Sequence, residues 1–246
     1  MKNIQDKNLG REDKSQFRQS KPNYMTQIIP SIIPRNRHDI EDEINLVSPF
    51  AKLVQVDICD GVFAGPKTWP YNFIDVEFFD ELKREETGWP KWEDMDIEIH
   101  LMVQNPEEVC EDWIKTGAVS VVAHIEATKN FQKVIDICHS YNVAIFMAIK
   151  PSTNVNILVP FAGQVDGIQV MGSDDIGHHG AELQGKAIEK IKLLKEMYPD
   201  KIIAIDIGVS LETKDELVSA GASKLISGSA ILEAEDPKKV YEELSS

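Results

Sequence analysis

The sequence predicts a (β/α)8 barrel, and three observations support this prediction. Short runs rich in Val and Ile alternate eight times with amphipathic stretches of helical spacing. Strands separated by helices pair in parallel, and eight such units fill the roughly 250 residues of a typical closed barrel, close to the 246 residues of this chain. The competing prediction, an open doubly wound sheet, is weakened because no G-x-G-x-x-G motif opens the first predicted helix.

Eight apolar runs are predicted as strands, in an even progression along the chain. They span residues 27–33, 54–58, 96–100, 119–125, 143–149, 165–171, 201–206 and 224–227. Pro34 and Pro151 follow the first and the fifth run. Proline ends a strand there because it has no backbone N–H to offer the ladder.

The stretches between the strands carry apolar residues at helical spacing. The predicted helix faces are Ile40, Ile44 and Val47; Phe73, Val76, Phe79 and Leu82; Phe131, Val134, Ile135 and Cys138; Ile188, Ile191 and Leu194; Leu211, Leu217 and Val218; and Val240 and Leu244. Asn105 precedes a proline and two glutamates, which predicts a capped third helix that Gly117 ends. A short helix is predicted from Thr153 or Asn154, and Gly221 ends the seventh.

Composition limits the classes of function. The net charge of −15 argues against nucleic acid and anionic membranes as partners, and no apolar run approaches the roughly 20 residues of a membrane span. The three cysteines form no C-x-x-C pair, which predicts a reduced, cytoplasmic protein. Residues 1–24 are polar and lack a periodic apolar face, so we predict a disordered N-terminal extension before one barrel domain at 25–246.

Three predicted strands are apolar on one face and polar on the other. Gln55 and Asp57 share a side of the second strand, Glu98 and His100 a side of the third, and Asp206 ends the seventh. In a barrel, function lies at the C-terminal ends of the strands. Asp57, His100, Asp206, Met171 and Ser229 all lie there, whereas Glu98 should lie one layer deeper in a structural role.

Two carboxylates on opposite walls suit a reaction in which one removes a proton from a carbon and the other returns a proton to the opposite face. The alternative is that Asp57 and Asp206 are turn or cap residues. Together with the imidazole of His100, they could hold a divalent ion such as zinc, iron or manganese. Such an ion would stabilise an enediolate beside the abstracted proton.

The loops after strands seven and eight form the usual phosphate site of these barrels. Gly228 and Ser229 lie there, and Gly208, Gly177 and Gly180 could add backbone N–H donors. The alternative is that Ser229 and its neighbours only cap the last helix.

Several segments resemble one known family, the ribulose-phosphate 3-epimerases, over most of the chain. The run H-L-M-x-x-N-P at 100–106 is quite specific in this order. The matching segments are Pro30-Ser31-Ile32, Val56-Asp57-Ile58-Cys59-Asp60-Gly61-Val62-Phe63, His100-Leu101-Met102-Val103-Gln104-Asn105-Pro106, His124-Ile125-Glu126-Ala127, Val170-Met171-Gly172 and Gly228-Ser229-Ala230-Ile231.

The resemblance implies a barrel of the ribulose-phosphate-binding type and a metal-dependent proton transfer at C3 of a ketopentose 5-phosphate. It implies paired acid/base and metal-ligand roles for Asp57 and Asp206 and a ligand role for His100. It further implies a substrate contact for Ser31, a phosphate cradle that includes Gly177, Gly180, Gly228 and Ser229, and assembly into a homo-oligomer.

Three positions depart from the family pattern. Gln55 stands where the family has a metal-ligand histidine, and glutamine offers only a neutral carbonyl oxygen, which is a weak ligand. Ile207 stands where the family has the first of two glycines, and residues 177–180 replace a Gly-Phe-Gly-Gly loop. Two alternative functions therefore stay open, a non-catalytic phosphosugar-binding protein and a related barrel lyase. The lyases resemble D-x-K-x-x-D at strand two, where this chain has Cys59 in place of the lysine.

Overall fold

A computed structural model describes residues 26–178 and 180–246, and it shows the predicted closed barrel. The predicted N-terminal extension, residues 1–24, lies outside the described residues. Eight parallel strands pair in the order β1 to β8, and β8 pairs again with β1. The strands are β1 Gln27–Ile32, β2 Leu53–Cys59, β3 Asp96–Met102, β4 Ser120–His124, β5 Ala144–Ile149, β6 Gly167–Met171, β7 Ile202–Asp206 and β8 Lys224–Ser227.

Helices follow the strands and cover the outside of the barrel. They are α1 Arg37–Val47, α2 Val76–Lys83, α3 Cys110–Lys115, α4 Phe131–Ser140, α5 Gly185–Met197, α6 Lys214–Ala220, α7 Ser229–Leu232 and α8 Pro237–Ser245, with 3-10 turns at Pro106–Glu108 and Val155–Leu158. Their buried faces include most of the residues predicted from helical spacing. No helix within the described residues is both long enough and apolar enough to cross a membrane.

Three local predictions were wrong. Phe73 is not part of a helix face, because it precedes α2 with φ of 65° and leaves 80% of its surface exposed. Leu211 likewise precedes α6 and is 41% exposed. Asn105 does not cap the third helix, since its backbone is left-handed and its side chain makes no capping hydrogen bond. Gly117 and Gly221 do follow their helices with positive φ, as predicted.

An aromatic cluster on the outside of β2 and β3 holds the long connection after β2 against the barrel. Trp69 is fully buried and its ring packs edge-on against Trp89 and Trp113, with centroids 5.9 Å apart in both pairs. Its indole N–H donates to the carbonyl of Asp75 at 3.0 Å. Trp89 is therefore a packing residue in this chain, and the connection that carries Asp60 to Lys67 starts from a rigid base.

A buried ion pair fills the lower part of the barrel interior. Lys224 Nζ lies 2.6 and 2.7 Å from the two carboxylate oxygens of Glu98, and the hydroxyl of Ser120 donates to the same carboxylate at 2.7 Å. The ammonium also lies 4.2 Å from the ring centre of Phe146. Glu98 thus has the structural role predicted for it, one layer below the strand ends.

The turn after β7 keeps a backbone conformation that suits glycine. Ile207 has φ of 79° and Gly208 has φ of 75°. A left-handed conformation is a true outlier for a β-branched residue. The turn is fixed from its neighbour strand, because the N–H of Gly172 donates to the carbonyl of Asp206 at 2.6 Å and a Cβ at Gly172 would lie 2.1 Å from the carbonyl oxygen of Ile207.

Breaking the ion pair should cost more than removing it. We expect Lys224→Met alone to destabilise the barrel by about 3–5 kcal/mol, because it leaves the Glu98 carboxylate buried without a counter-charge. Adding Glu98→Leu should recover most of this loss. Urea unfolding of the two single variants and the double variant measures both effects. Additive losses in the double variant would contradict the account.

The strain at Ile207 predicts an inverted ranking of small residues. Ile207→Gly should be more stable than Ile207→Ala by about 1–2 kcal/mol, because alanine keeps the left-handed penalty that glycine avoids. Both variants lose the same packing of the isoleucine side chain, so each is the control for the other. Thermal unfolding compares them. Equal stability, or a more stable alanine variant, would show that the turn carries no strain.

Candidate active site

A cavity of about 530 Å³ opens at the C-terminal ends of the strands. All the predicted site residues except His100 and Gln55 line it, and those two lie beneath its floor, each 0% exposed. The lining includes Ser31, Asp57, Met171, Gly177, Gly180, Asp206, Gly208, Gly228 and Ser229. Residues from distant parts of the sequence therefore meet at one mouth, as their positions at the strand ends predict.

Asp57, His100 and Asp206 meet at the floor of the cavity. Asp57 ends its polar face on β2 directly beside His100 on β3, and the Oδ1 of Asp57 lies 2.8 Å from the imidazole Nδ1. Asp206, the last residue of β7, reaches the same Nδ1 from the other side at 3.3 Å. Both carboxylates are almost fully buried. Two acidic groups on opposite walls thus share one nitrogen atom.

Gln55 connects the two carboxylates from below. Its side-chain Nε2 donates to Asp57 Oδ1 at 2.9 Å and to Asp206 Oδ2 at 3.1 Å, and it lies 3.4 Å from His100 Nδ1. Its Oε1 is buried and has no hydrogen-bond partner among the described residues. A buried amide oxygen without a partner costs free energy, so this atom indicates a group that the amide could accept.

The crowding of charges changes the proton affinity of the site. Burial, reinforced by the charge of Asp206, raises the pKa of Asp57 to about 6. Burial works to lower the pKa of His100, but hydrogen bonds to Asp206 and Asp57 outweigh it and raise that pKa to about 9. Without a metal ion, His100 is therefore a cation between two acids, and Asp57 can exchange a proton near neutral pH.

The same atoms fit a four-coordinate metal ion. One ligand atom from each of Asp57, His100 and Asp206 lies within 4.8 Å of the others. The contacts that His100 Nδ1 and Gln55 Nε2 make with the two carboxylates and with each other run from 2.8 to 3.4 Å, whereas two ligands of a tetrahedral ion stand about 3.3 Å apart when its bonds are about 2.0 Å. Turning the amide of Gln55 by half a rotation would present the unpartnered Oε1 as the fourth donor.

A second histidine lies behind His100. His124, the last residue of β4, is fully buried with its Nε2 3.1 Å from His100 Nε2 and its Nδ1 3.3 Å from a carboxylate oxygen of Glu126. Burial lowers the pKa of His124 to about 4. Burial would raise the pKa of Glu126, but its bond with His124 and other hydrogen bonds lower it to about 2. The pair is thus a neutral imidazole beside a carboxylate.

The sequence predicted no function for His124, Glu126 or Gln169. Gln169 is fully buried on β6, its Nε2 donates to Asp206 Oδ2 at 3.3 Å, and its Oε1 has no partner among the described residues. A signal did exist in two of these cases. Gln169 is a lone amide in an apolar strand, and His124 stands at a strand end like His100. Neither signal separates a functional polar residue from a satisfied core residue.

The far end of the cavity is a neutral cradle with an acidic rim. Gly177 and Gly208 have positive φ, and a Cβ at Gly208 would lie 2.6 Å from the Cβ of Leu183, so both positions favour glycine. No Lys or Arg occurs among the described lining residues, whereas Glu182 and Glu233 do. An anion at this end would depend on backbone N–H groups and hydroxyls for its hydrogen bonds.

Cys59 is a packing residue at the edge of the cavity. Its thiol is buried, and burial followed by the charge of Asp57 raises its pKa above the usual range. Its Sγ lies 3.0 Å from where a Cβ at Gly177 would stand. The thiol thus fixes the approach of the β6 loop, and it is inert as a nucleophile.

Solved structures of other phosphosugar enzymes share this fold. The chain resembles 3-hexulose-6-phosphate synthase from Salmonella typhimurium with a TM-score of 0.67 and 13% identity, over 89% of this chain and 96% of that one. It resembles KGPDC from Streptococcus mutans, solved in complex with ribose 5-phosphate, with a TM-score of 0.67 and 14% identity, over 89% and 95%. At these identities the likeness shows the fold alone.

Curated relatives are more similar in sequence. Ribulose-phosphate 3-epimerase from Schizosaccharomyces pombe is 26% identical over 87% of this chain and 90% of its own length. The enzyme of the same name from Bacillus subtilis is 26% identical over 89% and 98%, and a cytoplasmic isoform from Oryza sativa is 27% identical over 89% and 92%. These relatives indicate an isomerase-type enzyme.

The family model described as the ribulose-phosphate 3 epimerase family matches residues 27–232, which is most of the chain and all eight strands. This match confirms the resemblance read from the sequence. The chain belongs to the ribulose-phosphate 3-epimerase family.

Proposed function

We propose that this chain inverts the configuration at C3 of a phosphorylated ketose of the ribulose 5-phosphate and xylulose 5-phosphate type. One observation carries the proposal: the carboxylates of Asp57 and Asp206 approach a single imidazole nitrogen from opposite walls of the cavity floor. Inversion at a carbon needs a proton acceptor on one face and a proton donor on the other. Family membership supplies the class of substrate.

The proton transfer follows from the two carboxylates. One of them removes the proton from C3, which is α to the ketose carbonyl, and an enediolate forms. The other carboxylate, protonated, then delivers a proton to the opposite face of the same carbon. The raised pKa of Asp57 suits this exchange, because an acid/base group works best when its pKa lies near the operating pH.

The donor set fits a divalent metal such as zinc, iron or manganese, held by Asp57, His100, Asp206 and the Oε1 of Gln55. When bound, the ion supplies Lewis-acid stabilisation of the negative charge that develops on the substrate oxygens. The chain's own residues orient the sugar. Ser31 lines the cavity on β1, and Met171 closes the wall on β6.

The neutral cradle supports binding of the phosphate. Gly177, Gly180, Gly208, Gly228 and Ser229 line one continuous end of the cavity, and backbone N–H groups are the donors that such barrels offer to phosphate. The Streptococcus mutans neighbour holds ribose 5-phosphate in a barrel of the same fold, which supports a small phosphorylated sugar as the ligand here. Assembly into a homo-oligomer and a cytoplasmic location stay predictions.

The first test is isotope exchange at C3. With zinc, iron or manganese supplied, the protein should wash solvent deuterium into C3 of ribulose 5-phosphate or xylulose 5-phosphate. Asp57→Asn and Asp206→Asn should each slow the exchange by about 10²–10⁴-fold, because each removes a group that must carry the proton. Nuclear magnetic resonance of the recovered sugar measures the exchange.

Asp166→Asn is the matched control. Asp166 accepts the N–H of Ile145 at 2.9 Å at the opposite end of the barrel, so its change should leave exchange unaltered. If no pentulose or hexulose phosphate exchanges at C3, the epimerase proposal fails. Binding of these sugars without exchange would then favour a phosphosugar-binding protein, and cleavage of a carbon–carbon bond would favour a barrel lyase.

The second test concerns Gln55. Gln55→His should raise the affinity for zinc by at least about tenfold, which is about 1.4 kcal/mol, because an imidazole is a better ligand for a borderline ion than a neutral amide oxygen. Isothermal titration calorimetry measures this. Gln132→His, on the outer surface of α4 where Gln132 pairs with Gln164, controls for the added histidine. An unchanged affinity in Gln55→His would place the ion elsewhere.

A further inference from the structure

A line of buried polar groups runs from the end of β5 to the cavity floor. The backbone N–H of Lys150 donates to Glu126 Oε1 at 2.8 Å, and Glu126 Oε2 lies 3.3 Å from His124 Nδ1. His124 Nε2 lies 3.1 Å from His100 Nε2, and the other nitrogen of His100 faces Asp57 and Asp206. Both histidines are 0% exposed. Each contact joins one donor to one acceptor, so the line has a direction.

The direction is set at the far end from the cavity. A backbone N–H can only donate, and an ionised carboxylate can only accept. Glu126 therefore accepts from Lys150 and also from His124, which places the His124 proton on Nδ1. A neutral imidazole with its proton on Nδ1 offers a lone pair at Nε2. His100 must then donate from its own Nε2.

The consequence falls on the nitrogen that faces the acids. When Nε2 of His100 carries a proton in the line, its Nδ1 is the nitrogen left to offer a lone pair to a metal ion. We propose that His124 and Glu126 are positioning residues that hold His100 in the tautomer that binds the ion through Nδ1. This inference rests on the metal-dependent epimerase proposed above, and it deepens that proposal.

The surroundings keep water from replacing the line. The ring of Phe63 lies over His124 with centroids 4.9 Å apart, and the ammonium of Lys150 lies 4.6 Å from the centre of the same phenyl ring. The imidazoles of His100 and His124 stack at 5.2 Å with 19° between their planes. Because the contacts are dry and closely packed, a change of polarity at one end cannot be absorbed by solvent.

Glu126→Gln should reverse the direction. The N–H of Lys150 still needs an acceptor, so the new amide must turn its oxygen there and its NH₂ group toward His124 Nδ1. His124 then keeps its lone pair at Nδ1 and carries its proton on Nε2, which faces His100. That proton displaces the one on His100 Nε2 and drives the His100 proton to Nδ1, where it blocks the metal ligand.

The test reads the tautomer directly. In metal-free protein with ¹⁵N-labelled histidine, two-bond ¹⁵N–¹H spectra should show His124 neutral with its proton on Nδ1, the signal being assigned by proximity to Phe63. In Glu126→Gln, the proton should move to Nε2, and zinc affinity measured by calorimetry should fall by about 10–100-fold. His124→Gln, whose amide can accept from His100 and donate to Glu126, should keep more zinc affinity than His124→Leu.

Glu107→Gln is the matched control. Glu107 is a buried carboxylate that also accepts a backbone N–H, that of Lys129 at 3.2 Å, and a side-chain donor, Thr128 at 2.7 Å, but it contacts no imidazole among the described residues. Its change should leave the His124 spectrum and zinc affinity as they are. Two results would overturn the inference: a His124 proton on Nε2 in the unaltered chain, or equal zinc affinities for Glu126→Gln and Glu107→Gln.

Failure of this inference and failure of the epimerase proposal give different results. The tautomer of His124 is read in the unaltered protein without substrate, so it needs neither catalysis nor a variant that folds. Absence of deuterium exchange at C3 would remove the epimerase and leave the tautomer result standing. Normal exchange together with an Nε2 proton on His124 would keep the epimerase and remove the positioning role.

Discussion

Closure of the barrel is the constraint on which the site depends. The pairing of β8 with β1, in which Gln27 faces Lys224 and Pro30 faces Ser227, joins the last strand to the first. Only in a closed cylinder does β7 stand across from β2 and β3, so that a hydrogen bond can link Gln55 with Asp206, 151 positions further along the chain. An open sheet with the same strands would leave the two aspartates on separate surfaces.

The interior is layered by charge, and each layer makes the next one tolerable. The lower layer is neutral as a whole, because Lys224 and Ser120 satisfy the carboxylate of Glu98. Above it stand two carboxylates that only a cation can hold together, whether the protonated ring of His100 or a metal ion. The dry second layer behind His100 then decides which nitrogen faces them.

Much of this could be predicted from the sequence, and the failures have physical causes. All eight strands were predicted because each is a β-branched run between helical patterns, and parity placed Asp57, His100 and Asp206 at one mouth. Helical spacing misassigned Phe73, since one apolar residue at the right interval cannot be told from a loop residue before the helix starts. The bridge made by Gln55 depends on barrel register and on which way its amide turns, and neither is encoded in a local pattern.

The central claim is that Asp57, His100, Asp206 and Gln55 surround a single point. Anomalous diffraction from crystals of the zinc-loaded protein, recorded at the zinc absorption edge, tests it most directly. The predicted result is one peak about 2.0–2.2 Å from the oxygens of both aspartates, the Nδ1 of His100 and the Oε1 of Gln55. Zinc bound elsewhere, with the Nε2 of Gln55 still bridging the two carboxylates, would contradict the claim.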